Sequence, residues 1–254
     1  MQVLKFRRRQ QGLTLIELAI IIALLGTYIM VIMHYRANRI DSGDTVARGI
    51  QDQVVAAVYR FAERHYRLPC ADTNGDGFEG SGSGCGNAQE HKVGGVPYRT
   101  LGMSESDALN SGKSTDYVYG VYRNQNADLA VLEERTNDAP ADAGFRDQDD
   151  LRFALSGLTS TTVDSNQIYV TGDNDLTGPA DCNNKITNIA FFVVYAGKGD
   201  ANGDGNTFDG ANSLLSEPSS THRCVAGQTT RHSEQYDDSV VAIGFAELLG
   251  YLTH

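Results

Sequence analysis

Proline is scarce in this chain, five residues in 254, and none occurs before Pro69. Nothing ahead of that position forces a break in a helix, because proline is the residue that removes a helical hydrogen bond and clashes with the preceding turn. Long apolar runs are scarcer still: one extends from Leu13 to Met33 and there is no second. That excludes a chain that crosses a membrane as several apolar helices. Paired Cys-x-x-Cys spacing is missing, and so are a nucleophile elbow, a phosphate loop and a His-Glu-x-x-His motif. The signatures of a zinc ribbon, a serine hydrolase, a nucleotide site and a zinc protease are therefore absent, and no enzymatic activity is expected. Positive charge is also in deficit, with 21 basic against 32 acidic residues. Four of the basic ones, Lys5, Arg7, Arg8 and Arg9, precede the apolar run; without them 17 face 32, a net charge of −15. Nonspecific nucleic-acid binding, which needs a basic surface, is not expected of such a chain.

Within the apolar run the only charged side chain is Glu17. Twenty-one helical residues rise ~31 Å, enough to cross the hydrocarbon core of a bilayer. The basic cluster ahead of the run holds the N-terminus on the cytoplasmic side and sends the rest of the chain across. A carboxylate inside such a span costs about 2.5–3.5 kcal/mol and marks function. No small-residue cleavage site follows the run, since Gly26-Thr27-Tyr28 sits within it, so it does not read as a secretory signal peptide.

The basic leader ending at Gly12, followed by Leu13-Thr14-Leu15-Ile16-Glu17-Leu18, resembles the type IV prepilin signal. The resemblance implies cleavage after Gly12 by prepilin peptidase and methylation of the new N-terminus at Leu13. It makes Glu17 the fifth mature residue, which in that family pairs with the N-terminal amine of a neighbouring subunit during assembly. Two charges that are each costly in lipid become tolerable when paired there. Main-filament members commonly carry proline near the twenty-second mature residue; here that place is His34, which fits a minor subunit better. Part of the remainder resembles large pilin-like proteins of the prepilin and type II secretion class. Its carriers are Arg67-Leu68-Pro69-Cys70, Asp72-Thr73-Asn74-Gly75-Asp76-Gly77, Gly95-Val96-Pro97-Tyr98-Arg99-Thr100-Leu101-Gly102 and Tyr236-Asp237-Asp238-Ser239-Val240-Val241. Ala71 stands where a second proline is usual and Tyr98 where tryptophan is usual, in a chain with no tryptophan at all.

The resemblance implies a minor pilin or pseudopilin, a structural or priming subunit of a type IV pilus or a type II secretion pseudopilus. The alternative is an adhesin-like binding module at the tip of a type IV pilus. Either is a single-pass inner-membrane precursor with a periplasmic head before it enters the filament. Its implied partners are prepilin peptidase, the inner membrane and other pilin or pseudopilin subunits, met through the N-terminal helix.

The periodicity carries the helix beyond the membrane. Val46, Ile50, Val54, Val58 and Phe61 recur at spacings of three and four, one apolar stripe. Pro69 and its effect on the residue before it predict an end near Leu68, and Asp41-Ser42-Gly43-Asp44 predicts a kink. The expected plan is a leader over 1–12, a helix over 13–68 with its 13–33 portion transmembrane, and an extracytoplasmic disulfide-bonded head over 69–254. Strands are predicted at 117–122, 152–155, 167–170, 188–195 and 239–245, and a short helix at 246–252. The fold class is α+β, a long helix packed on an antiparallel sheet with long loops, in a pilin-like arrangement.

Four cysteines across a membrane from the cytoplasm read as two disulfides. Of three connectivities the sequential one, Cys70 with Cys85 and Cys182 with Cys224, is favoured because each pair brackets a loop-rich segment. A zinc site on Cys224, His222 and His232 is the alternative. Two stretches open like calcium loops: Asp72, Asn74 and Asp76 before Gly77, and Asp200, Asn202 and Asp204 before Gly205. Their twelfth places are Ser83 and Ala211, not glutamate, which leaves Glu79 and Asp209 as the nearer acids able to complete each site. One or two calcium ions are expected, the first loop binding more tightly because the Cys70–Cys85 bridge would close around it. Asp173-Asn174-Asp175 reads as a turn. Asp237 and Asp238, as neighbours in a strand, point to opposite faces and read as strand-end hydrogen-bonding groups.

Overall fold

The computed structural model describes residues 15–81, 84–105, 117–135, 145–172, 182–197, 200–215 and 221–254, without the side chains of 15–18 and 31–47. The chain divides between Thr45 and Val46 into two compact units. Helix α1, Leu15–His65, is helical in both, including the 41–44 stretch where a kink is predicted.

In the first unit the described side chains run from 19 to 30. Ile20, Ile22, Leu24, Leu25, Tyr28, Ile29 and Met30 are all more than half exposed, and the Thr27 hydroxyl donates back to the Leu24 carbonyl at 2.9 Å. Among the described residues no helix is long and apolar enough to cross a membrane; the 13–33 run lies partly outside them.

The second unit is a mixed α+β structure built on a four-stranded antiparallel sheet. Its strands are β1 (Val93–Gly94), β2 (Tyr117–Val121), β5 (Phe191–Tyr195) and β7 (Ser239–Ile243), in the order β1-β2-β5-β7. A second sheet, β4-β3-β6, joins β3 (Tyr169–Thr171) to β4 (Lys185–Asn188) antiparallel and to β6 (Cys224–Val225) parallel. Among the described residues, helices α2 (Gln148–Leu158) and α3 (Phe245–Leu252) and a 3-10 turn, Gly210–Asn212, accompany the sheets.

The apolar stripe of α1 is buried as its spacing requires: Val54 and Val58 are fully enclosed, with Ile50, Ala57, Phe61 and Ala62 beside them. Tyr59 meets Phe191 of β5 edge-on at 5.8 Å and stacks on Tyr251 of α3 at 4.2 Å. One polar residue interrupts the stripe. Gln51, buried, donates to the carbonyls of Val193 (2.7 Å) and Ser239 (3.0 Å) and accepts from the Ser239 hydroxyl (2.9 Å). A single amide thus satisfies carbonyls on two strands. Gln51→Ala is expected to cost about 1–3 kcal/mol, because it leaves those groups buried and unpaired; urea denaturation checks it, and a cost near zero would show that water replaces the amide.

Several predicted elements differ from what forms. The 152–155 stretch is helical, not a strand. Asp147 caps α2 through a reciprocal pair, accepting from Asp149 N at 2.8 Å while its own N–H donates to Asp150. Leu151, Ala154, Leu155 and Leu158 then form the buried face. The stretch 188–195 is two strands in two sheets, not one. Buried Asn188 turns the corner between them, donating to the carbonyls of Asp164 and Ile168 at 2.9 Å. Finally, α1 ends at His65, three residues before Leu68, because Tyr66 adopts a left-handed φ of 55° that no helix continues through. Helix α3 begins at Phe245, one residue earlier than predicted, and strand β3 is shifted to Tyr169–Thr171.

Candidate functional site

Gly12 and Leu13 lie outside the described residues, and so does the side chain of Glu17, whose backbone is helical. The same holds for the side chain of His34 and for Asp173-Asn174-Asp175 and Ser83.

The two acidic loops fold alike. In the first, Asp72 is buried; its Oδ1 accepts from the N–H groups of Asn74 (3.1 Å) and Gly75 (2.8 Å) and its Oδ2 from Gly77 (2.7 Å). Asn74 Oδ1 accepts from Asp76 N–H and Asp76 Oδ1 from Phe78 N–H. In the second, Asp200 Oδ2 accepts from Gly205 (3.0 Å), Asn202 Oδ1 from Asp204 (2.9 Å) and Asp204 Oδ1 from Asn206 (2.8 Å). The offsets of five, two and two residues are identical, which is why the two sequence stretches look related. Each arrangement also holds an aspartate ionised: the N–H of Phe78 lowers the pKa of Asp76, and that of Asn206 does so for Asp204. Gly77, at a φ of 82°, has the Tyr98 ring where a side chain would start, only 2.4 Å from an added Cβ.

The loops part company at the acids expected to complete them. Glu79 turns to Arg67, which donates to both its oxygens at 2.6 and 2.7 Å, and accepts from Cys70 N–H at 3.3 Å. It serves to hold the first loop to the chain after α1. Asp209 instead joins Asp237 and Asp238, each of the three offering an oxygen within 4.8 Å of the others. Asp209 Oδ1 accepts from Asn202 N–H at 3.4 Å, a link back to the second loop, and its Oδ2 accepts from Asp237 N–H at 3.3 Å. Asp238 Oδ2 accepts from Asp209 N–H and Asn212 Nδ2, both at 2.9 Å. Gly197, at a φ of 60°, lies so close to Asp237 that an added Cβ would sit 2.3 Å from its Oδ1.

This corrects the reading of Asp237 and Asp238 as neighbours facing opposite ways. They precede β7, which starts at Ser239, so strand alternation does not govern them and both reach one cluster. Asp238 does take the strand-end hydrogen bonds expected of it. Burial, only partly offset by hydrogen bonds, pushes Asp238 up to about 8 and Asp209 up to about 6.

The structure bonds Cys70 to Cys85 and Cys182 to Cys224, with Cα atoms 5.7 and 6.1 Å apart. The sulfurs of Cys182 and Cys224 lie 3.6 and 3.4 Å from His222 Nε2, which is also 3.0 Å from the Ala211 carbonyl. With both sulfurs in a disulfide there is no thiolate to hold zinc, and His232 instead approaches the Tyr236 ring at 6.5 Å.

A further buried charge lay outside sequence reasoning. Arg123 is fully enclosed and donates to Asp128 through Nε (3.0 Å) and Nη2 (2.7 Å). It also donates to the carbonyls of Cys85, Gly86 and Glu90, so its guanidinium knits the segment after the first disulfide to the chain beyond β2. Arg and Asp five residues apart were the only available sign. No family model, curated protein or solved structure matches this chain.

Proposed function

We propose that the chain is a minor type IV pilin or a pseudopilin, a structural or priming subunit of a type IV pilus or type II secretion pseudopilus. The observation that carries this reading is the 19–30 portion of α1. It bears no charged side chain and leaves large apolar residues exposed on every side, six residues after a basic leader that ends in glycine. A helix apolar all round is stable only when lipid or other helices cover it. A bilayer does so before assembly, and the helices of neighbouring subunits do so afterwards. Thr27, bonded to its own helix, adds no unpaired polar group to that surface. Glu17 would be the one charge inside it, held by the amine of a neighbouring Leu13. Disulfides suit a head exposed to an oxidising periplasm. The work is mechanical, with prepilin peptidase, the inner membrane and other subunits as partners, and involves no catalysis.

Intact-mass analysis of the chain purified from membranes tests this directly. The expected product begins at Leu13 and carries an N-terminal methyl group. Retention of residues 1–12, or a start elsewhere, overturns the reading.

A further inference from the structure

We propose that Cys182, Cys224 and His222 become a zinc site when the Cys182–Cys224 bridge is reduced. The proposal is independent of the pilin reading. The three side chains each offer one ligand atom within 4.8 Å of the others, and all three line a cleft of about 490 Å³ with Asn166, Tyr169 and Thr221. Half-buried Cys182 offers a reductant its point of attack, whereas Cys224 is enclosed. His222 Nε2 stands 3.6 Å from the sulfur of Cys182 and 3.4 Å from that of Cys224. A tetrahedral zinc with bonds of about 2.3 Å to sulfur and about 2.0–2.1 Å to nitrogen puts such atoms about 3.5–3.6 Å apart. The imidazole is thus already at a ligand's distance from each sulfur. The sulfurs alone must part, from about 2.05 Å in a disulfide to about 3.8 Å around zinc, a swing of two side chains.

The chemistry balances. A dithiol reductant, as its thiolate, attacks the Cys182 sulfur; the S–S bond breaks and Cys224 leaves as a thiolate. The second thiol of the reductant then releases Cys182, so two electrons pass to the chain and the reductant ends as a disulfide. Zinc takes both sulfurs as thiolates, displacing their protons, with neutral His222 as the third ligand. The hydrogen bond that links Nε2 to the Ala211 carbonyl at 3.0 Å gives way, and water from the cleft takes the fourth position. Soft thiolates with one imidazole select zinc over calcium or magnesium. Cys182 lies just ahead of β4 and Cys224 within β6, the two strands that flank β3. Zinc would therefore keep the small sheet clamped after the bridge opens. The first bridge is not an equivalent site. Cys70, Glu79 and Cys85 also lie within 4.8 Å of one another, but Glu79 is committed to Arg67. The same guanidinium lies 4.0 Å from the Cys85 sulfur, where it repels a cation.

The experiment compares the full chain in detergent before and after reduction by a phosphine, each titrated with zinc and with cobalt(II) as an optical probe. The reduced chain should bind one zinc at least about a hundredfold more tightly than the oxidised chain, and release protons as it does. Cobalt should show a thiolate charge-transfer band in the reduced chain only. Zinc should raise the Tm of the reduced chain and leave that of the oxidised chain unchanged. Cys182→Ser with Cys224→Ser should lose the band under reduction, although Cys70 and Cys85 remain. His222→Ala keeps all four cysteines and should weaken zinc binding at least about tenfold. No zinc binding by the reduced chain overturns the proposal. So does a band that survives the paired serine variant, which would place the metal on Cys70 and Cys85, or an affinity unchanged in His222→Ala.

Discussion

Arg123→Met is expected to destabilise the second unit by about 3–5 kcal/mol, the cost of breaking a buried ion pair by removing one partner. The arginine is fully enclosed and Asp128 nearly so, so the loss leaves a carboxylate stranded in a region of low polarity. Asp128 keeps one compensating bond, from Ala130 N–H at 2.9 Å. The carbonyls of Cys85, Gly86 and Glu90 lose their guanidinium donor at the same time. Urea denaturation with an unchanged m-value measures the cost. The double variant Arg123→Met with Asp128→Leu should recover a large share of it, because an apolar pair of similar volume carries no buried charge. A single-variant cost under about 1 kcal/mol would mean that water reaches Asp128 and that the pair is not a structural centre.

Opening the first disulfide, by Cys70→Ala with Cys85→Ala, should cost about 3 kcal/mol, as closure of a loop of this length predicts. The bridge and Arg123 hold the same segment, since Arg123 bonds the carbonyl of Cys85 itself. Their effects should therefore not add. Once the bridge is gone the segment frays, and losing Arg123 as well should cost less than the two separate losses together. Non-reducing denaturation of the single and combined variants gives the coupling; strict additivity would show that bridge and arginine act on separate parts of the fold.

Elements with a strong local signal were legible in the sequence. The stripe of Ile50, Val54, Val58 and Phe61 is buried because four residues at helical spacing can serve only one face. The β2, β5 and β7 strands sit where β-branched and aromatic runs predict them. Helix α2 was legible too, but its signal was the cap at Asp147 and Asp150 followed by Leu151, Ala154, Leu155 and Leu158, not the short apolar run at 152–155. The turn pattern of the two acidic loops follows from Asp, Asn and Gly at fixed offsets, which is local chemistry that needs no partner.

The rest exists only where distant parts of the chain meet. Asp209 and Asp238 are separated by 29 positions, and nothing near either predicts that both are buried together with Asp237. The division of 188–195 between two sheets depends on Asn188 finding carbonyls at Asp164 and Ile168. Gln51 reads as a polar flaw in an apolar stripe until Val193 and Ser239 arrive to use it. Glu79 belongs to the first acidic stretch, and only the fold shows that its carboxylate meets Arg67. Periodicity reports which face of an element must leave water, because that depends on the element alone. Which buried polar groups find partners depends on the packing of elements far apart in sequence, and so appears only in the folded chain.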